Sequence, residues 1–245
     1  MRPTKLILAF TGLTFMVAAN AAAQGGPASC SGLPTAQQLK EFLAEAPSHG
    51  GEAGGLFHGT RMWAAVVNRN GEICAFATST DDPTQVWPGS QAIAKAKAYT
   101  ANAFSLDALA LSTAQLYTFV QPGHSLWGLN ESNLFNADFL ARPSGDAGGK
   151  NRIAGGIITF GGGVALYSGG HVVGGLGISG DTACTDHEIA KRVRDEAGMN
   201  PPGGMTADDI SYSSVDGPSV FTHPLCPNTW RNNVLIGNEA PATTY

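Results

Sequence analysis

A glycine-punctuated stretch from Ile157 to Gly180, IITFGGGVALYSGGHVVGGLGISG, constrains the fold more than any other part of the chain. Three runs rich in β-branched and aromatic residues alternate here with glycine turns, and such runs are typical of strands. The predicted strands are Ile157–Phe160, Val164–Tyr167 and Val172–Ile178. Parallel strands need a long crossover, so the short glycine turns predict antiparallel neighbours. The stretch therefore predicts a three-stranded meander around which the other elements pack.

Two further strands and four helices are predicted elsewhere. The strands, Met62–Asn68 and Glu72–Thr78, flank the pair Asn70-Gly71, which is a strong hairpin signal. Two of the helices follow capping boxes, which begin at Thr35 and Thr185. The other two are the alanine-rich Gln91–Phe104 and the shorter Thr113–Val120. The predicted fold class is therefore α+β, with a five-stranded antiparallel sheet and flanking helices.

Several function classes are disfavoured by the sequence. Gly175–Gly180 matches the dinucleotide-binding pattern G-x-G-x-x-G, but its first two glycines lie inside the last predicted strand instead of in a strand-to-helix turn. The chain has 14 Lys and Arg residues against 19 Asp and Glu residues, and the basic residues form no cluster in the sequence. Both features argue against a nucleic-acid partner. The hydrolase signatures G-x-S-x-G, H-E-x-x-H and S-x-x-K do not occur.

The N-terminus has the pattern of a signal peptide, predicted over residues 1–23. Arg2 and Lys5 precede an apolar run that ends in small residues at Ala21–Ala23. This predicts a periplasmic or secreted protein. No later run reaches the roughly 18 apolar residues of a transmembrane helix, so no membrane partner is expected. The remaining chain is predicted to form an α+β domain over residues 24–199 and an irregular C-terminal extension over residues 200–245.

Four cysteines suggest two disulfides in an exported chain, with three connectivities to choose from. We favour Cys184–Cys226, because it would tie the proline-rich extension to the end of the meander. Cys30–Cys74 would then follow. No C-x-x-C pair is present, which argues against a zinc knuckle or a thioredoxin-type centre.

Several spaced motifs resemble those of the GlcG/HbpS family. They are Asn70-Gly71, Ile93-Ala-x-x-Lys97-Ala-x-Thr100-Ala, Phe160-Gly-Gly-Gly163-Val-Ala-Leu166, Val173-Gly-Gly-x-Gly177-x-Ser179-Gly180 and Asp186, in the family's order and spacing. The resemblance covers about residues 33–198. It implies a small profilin-like α+β domain that binds haem and that, in some members, breaks haem down.

The candidate cofactor-binding residues lie on and after the alanine-rich helix. Haem needs an apolar slot, an axial ligand and polar groups for its propionates. His124 is the candidate ligand to the haem iron, because Phe119 and Trp127 lie close to it in sequence and could line a slot. Lys97, which matches the family motif, is the candidate propionate contact. Thr100 and Phe104 on the same helix complete the predicted site.

Two other histidines are assigned structural roles, His171 in a hairpin turn and His187 in the first turn of a helix. Three hypotheses stay open at this point. The first is an exported haem-binding protein with weak haem-degrading activity. The second is a non-catalytic module that binds another small organic ligand. The third is a structural domain that assembles as a homo-oligomer through its alanine-rich and glycine-rich faces.

Overall fold

The computed structural model describes residues 29–136 and 152–241, so the predicted signal peptide lies outside the described residues. Within this part the chain forms one four-stranded antiparallel sheet and a separate small hairpin. The strands of the main sheet are β1 (Trp63–Asn68), β2 (Ile73–Thr78), β3 (Gly163–Ser168) and β4 (His171–Ser179), arranged in the order β2-β1-β4-β3. The predicted α+β class and antiparallel pairing are confirmed.

The central strand β1 is buried along its whole length, because helices cover both faces of the sheet. The helices are α1 (Ala36–Glu45), α2 (Ser90–Phe104) and α3 (Ala183–Glu196). Ala64 and Val66 of β1 share a core with α1 and α3. The alternate residues Trp63, Ala65 and Val67 share a second core with α2. The period of two in β1 thus separates two apolar layers.

The alanine-rich helix α2 lies directly on the glycines of β4. A side chain at Gly175 would overlap the carbonyl of Ala98, and one at Gly177 would overlap the carbonyl of Ala94. Both glycines therefore serve close helix-to-sheet packing. This explains why the G-x-G-x-x-G pattern occurs in a strand here.

The predicted first strand of the meander, Ile157–Phe160, is wrong, and the main sheet has four strands instead of five. Side chains occupy the backbone groups that a neighbouring strand would need. Ile158 N–H donates to Thr100 Oγ1 at 3.0 Å, and the Phe160 carbonyl accepts from Thr113 Oγ1 at 2.6 Å. Gly162 then turns the chain with a φ of 115°, and β3 begins at the next residue.

Two of the helix predictions are wrong in part, one in its start and one in its helix type. The capping box at Thr35 is confirmed, but α3 begins before the one predicted at Thr185. Thr182 caps α3 by accepting from Thr185 N–H, so Thr185 already lies in the first turn. Thr113–Val120 forms two short 3₁₀ turns, Thr113–Leu116 and Thr118–Val120, instead of one helix.

The C-terminal extension is more ordered than predicted. It contains the short helix α4 (Ser213–Asp216) and a hairpin of β5 (Thr229–Arg231) and β6 (Val234–Gly237). Both predicted disulfides are confirmed, with Cα–Cα distances of 5.4 Å for Cys30–Cys74 and 6.0 Å for Cys184–Cys226. The extension covers the outer face of α3.

Buried charges join α3 to the extension. Arg194 of α3 binds both carboxylate oxygens of Asp208, at 2.7 and 2.6 Å, and both side chains are fully buried. Lys191 Nζ lies 2.7 Å from Asp209. Removing one partner of such a pair would leave an uncompensated buried charge, so these contacts hold the extension in register with α3. Among the described residues, no helix has the length and apolar character to cross a bilayer.

Candidate functional site

A buried ion pair lies at the centre of the predicted site. Lys97 of α2 is fully buried, and its Nζ lies 2.7 Å from Asp186 Oδ2 of α3 and 3.0 Å from the Ile178 carbonyl. The ammonium also lies 4.8 Å from the centre of the Phe160 ring. A side chain at Gly162 would come within 2.7 Å of Lys97 Nζ. The lack of a side chain at Gly162 therefore makes room for this pair.

The other carboxylate oxygen of Asp186 binds the backbone just before α3. Its Oδ1 accepts the N–H groups of Gly180 at 3.1 Å and Asp181 at 2.9 Å. Burial raises the pKa of Asp186 to about 6, and the charge of Lys97 works against that rise. Burial likewise lowers the pKa of Lys97. Desolvation thus moves both groups toward their neutral forms, and their mutual attraction opposes that shift.

Thr100 connects α2 to the extended segment before β3. Its hydroxyl donates to the Ala96 carbonyl at 2.7 Å and accepts from Ile158 N–H at 3.0 Å, and the side chain is fully buried. A side chain at Gly156 would meet Ala96 Cβ at 2.8 Å. Thr100 therefore sets the position of this segment against the helix. Phe104, the last residue of α2, is half-buried.

His124 lies apart from these residues, in an exposed turn. Its backbone N–H donates to the Gln121 carbonyl at 3.0 Å, and within the described part of the chain its imidazole has no hydrogen-bond partner. Trp127, three residues on, is 65% exposed. Phe119 packs edge-on against Phe221 of the extension, with ring centres 5.6 Å apart. An imidazole thus sits in a turn that also exposes an aromatic side chain.

The structure therefore divides the predicted site residues into two groups. Lys97 and Thr100 are buried beneath the segment that precedes β3, whereas His124 is exposed. In the described residues no hydrogen bond or ion pair joins His124 to Lys97, Thr100 or Phe104. The cofactor-contact roles of all four residues stay predictions.

The histidines assigned structural roles differ from each other in setting. His171 is exposed at the β3–β4 turn, where its Nδ1 lies 2.7 Å from Asp107 Oδ2. His187 is fully buried, and burial lowers its pKa to about 3. His223, which the sequence reasoning missed, is 3% exposed, and burial lowers its pKa to about 4. The spacing His223-Pro-Leu-Cys226 was a signal that could have drawn attention to it.

Among the cavities lined by described residues are two that open at the surface. One, of about 320 Å³, is lined by Leu33 and Phe42 near α1 and by Met199 after α3, among others. This volume lies at the lower end of the range for small-molecule sites. The other, of about 230 Å³, lies between Asp107 and Pro202. None of the predicted site residues lines either cavity.

The motif-bearing residues lie within one matched segment. A family model described as "Haem degrading protein HbpS-like" matches residues 35–195. The chain belongs to the HbpS-like family. The family resemblance inferred from the motifs is thereby confirmed. The match ends near the end of α3, so the C-terminal extension of this HbpS-like chain lies wholly beyond it.

Curated relatives match a shorter part of this HbpS-like chain. Two corrinoid adenosyltransferases named PduO, from Salmonella typhimurium and Citrobacter freundii, are each 34% identical to it over 102 residues. That match is 42% of this chain and 23% of each relative, so it spans less than a quarter of the relatives' length.

Solved structures are also similar to the chain. A PduOC:haem complex is 26% identical, with 65% of this chain and 88% of that chain covered and a TM-score of 0.45. The Klebsiella pneumoniae protein ORFY is 22% identical, with 69% and 90% covered and a TM-score of 0.46. A double mutant of Streptomyces reticuli HbpS is 17% identical, with 79% and 98% covered and a TM-score of 0.46.

Proposed function

We propose that this HbpS-like chain is an exported protein that binds haem non-covalently and degrades it. The observation that carries the proposal is the match of residues 35–195 to a family of haem degrading proteins. The exposed imidazole of His124 and the exposed ring of Trp127 are two groups that such a ligand uses. Haem iron takes an imidazole as axial ligand, and the macrocycle needs apolar surface.

His124 is the proposed axial ligand. Its imidazole is exposed and has no hydrogen-bond partner in the described residues, so iron ligation would break no internal bond. The exposed Trp127 offers an aromatic face beside it, and Leu134, 81% exposed, adds apolar surface in the following segment. Burial of such surface against the macrocycle would supply most of the affinity.

The proposal gives supporting roles to Lys97, Thr100 and Phe104. A direct propionate contact by Lys97 would require its ammonium to leave Asp186 and the Ile178 carbonyl. We therefore assign Lys97 and Thr100 a supporting role, in which they fix the segment before β3. Phe104, half-buried at the end of α2, would add apolar contact. Bound haem would supply the iron chemistry, while the residues of this chain bind and orient the macrocycle.

A homo-oligomer is part of the same proposal. A ligand held at the exposed turn of His124 and Trp127 would keep one face open to water on a single chain. A second copy would cover that face. The mass of the protein in solution, measured with and without haemin, tests this assembly, and mass spectrometry of the exported chain tests cleavage after Ala23.

The test of the axial role is a haemin titration of the purified wild-type chain and of two variants, followed by absorbance. We expect His124→Ala to shift the Soret maximum and to weaken binding about tenfold or more, which corresponds to roughly 1.4 kcal/mol. His171→Ala is the matched control, because His171 is also exposed but is paired with Asp107. An unchanged spectrum in His124→Ala would refute the axial role. Loss of the Soret band under reductant and oxygen tests degradation.

The matched PduO relatives name a second tetrapyrrole class, the corrinoids. Because under a quarter of each relative is matched, their activity is not carried over. Cobalamin serves instead as the competing ligand in the titration, and displacement of haemin by an equal amount of cobalamin would favour a corrinoid. If the chain binds neither ligand, two hypotheses remain, a non-catalytic module for another small organic ligand and a structural domain that forms a homo-oligomer.

A further inference from the structure

A cluster of three metal-binding side chains lies between α3 and the extension. The two sulfurs of Cys184 and Cys226 and a ring nitrogen of His223 lie within 4.8 Å of one another. All three side chains are at least nine-tenths buried. The sulfurs are joined in a disulfide, so the cluster cannot ligate a metal in this form. Reduction would expose two thiols beside an imidazole.

The imidazole of His223 is held by a hydrogen bond at each ring nitrogen. Its Nδ1 lies 2.7 Å from the Pro224 carbonyl, and because a carbonyl only accepts, Nδ1 carries the proton. Nε2 is therefore the nitrogen with an available lone pair, which now accepts the Gly161 N–H at a long 3.3 Å. A metal-ligating histidine is commonly held in this way, by a bond from its other ring nitrogen to a carbonyl.

The environment keeps the imidazole ready to ligate. Its Nε2 accepts the Gly161 N–H and therefore carries no proton, so the ring is neutral, as a ligand must be. The tilted ring of Tyr117, 5.0 Å away, packs against it and limits its rotation. Two thiolates and a divalent cation sum to no net charge, which suits a buried position. Thiolate and imidazole ligands together favour Zn²⁺.

We propose that reduction of Cys184–Cys226 converts this cluster into a Cys₂His site for Zn²⁺. A dithiol reductant gives two electrons and two protons, the Sγ–Sγ bond breaks, and the reductant becomes a disulfide. Zn²⁺ then displaces both thiol protons and takes Nε2 of His223 as its third ligand. The metal thus replaces the disulfide as the link between α3 and the extension.

The experiment uses a phosphine reductant, which leaves no competing thiol, and Co²⁺ as a spectroscopic probe for the Zn²⁺ site. Cys30→Ser/Cys74→Ser retains the cluster cysteines, whereas the matched variant Cys184→Ser/Cys226→Ser retains only the other pair. We expect one Co²⁺ per chain with thiolate-to-cobalt absorption in the first variant, displaced by Zn²⁺. We expect no such band in the second variant. Equal bands in both variants would overturn the proposal.

Adding His223→Ala to Cys30→Ser/Cys74→Ser tests the third ligand. Metal affinity should fall at least about tenfold, and an unchanged affinity would overturn the Cys₂His assignment. Thermal unfolding of the reduced wild-type chain is the second measurement. Zn²⁺ should raise its midpoint toward that of the oxidised chain, and no rise with saturating Zn²⁺ would also overturn the proposal. Both measurements are made without haemin, so neither outcome tests the proposed haem binding.

Discussion

The buried Lys97–Asp186 pair makes a strong prediction about stability. Lys97→Met keeps most of the side-chain volume but removes the ammonium that lies 2.7 Å from Asp186. Breaking a buried pair by removing one partner costs about 3–5 kcal/mol, because the other charge is left buried. Asp186 can relieve part of this cost by taking a proton, since its pKa is already raised to about 6. We therefore expect a loss of about 3 kcal/mol at pH 7, at the low end of that range.

The assay is urea unfolding at pH 7 of Lys97→Met, Asp186→Asn and the double variant. The double variant should lose about 2 kcal/mol less than the sum of the two single losses, because the second change removes a charge that the first had left unpaired. Lys40→Met is the control, since Lys40 and Asp81 lie 2.6 Å apart but are both exposed. It should match the wild type. Additive losses, or a loss under about 1 kcal/mol in Lys97→Met, would refute the reasoning.

Three further predictions concern packing, pH and the disulfide. Gly177→Ala places a methyl group against the backbone of α2 and should lower the free energy of unfolding in urea by about 2–3 kcal/mol. Gly89→Ala is the control and should be near neutral, because open space surrounds Gly89. Equal losses in the two variants would contradict the close packing. Burial raises the folded-state pKa of Glu196 to about 7, above its ordinary value of 4.5, so its contribution to stability is present below about pH 4.5 and is lost as pH rises toward 7. Glu196→Gln should therefore be more stable than the wild type at pH 8 and lose that advantage near pH 4.5, and a difference independent of pH would contradict this. Cys184→Ser/Cys226→Ser opens a link across 42 residues and should cost about 4 kcal/mol by the chain-entropy estimate, and an unchanged thermal midpoint would contradict it.

Elements specified by local chemistry were predictable from the sequence. The hairpin turn needs a left-handed backbone at Gly71, whose φ is 83°, and the Asn-Gly pair signals that need directly. The capping box at Thr35 likewise depends on residues within one turn of helix. The alanines of α2 predicted a helix with a close-packing face, and that face lies on the glycines of β4.

Features that depend on distant side chains were not predictable. Ile157–Phe160 has the composition of a strand, but Thr100 and Thr113 take its backbone groups, and both lie more than 40 residues earlier. The ordered extension likewise depends on partners in α3, such as Arg194 for Asp208. Thr182 replaced Thr185 as the cap of α3 because both threonines suit the position, and local sequence does not rank them.

The candidate site was predictable in its residue types but not in its layout. The family motif placed Lys97 and Thr100 on one helix, as observed. It did not indicate that Lys97 would be fully buried against Asp186, because both residues belong to motifs that are 89 residues apart. His124 lies in a turn that begins at Pro122-Gly123 and ends before the 3₁₀ segment after Gly128. This turn keeps His124 out of the core and explains its exposure.

The most direct measurement of the central claim is a haemin titration of the purified wild-type chain, residues 24–245, followed by absorbance. The proposed function predicts a new Soret band that saturates at a fixed ratio of haemin to chain and that moves in His124→Ala but not in His171→Ala. A chain of native stability that produces no haemin-dependent spectral change would contradict haem binding.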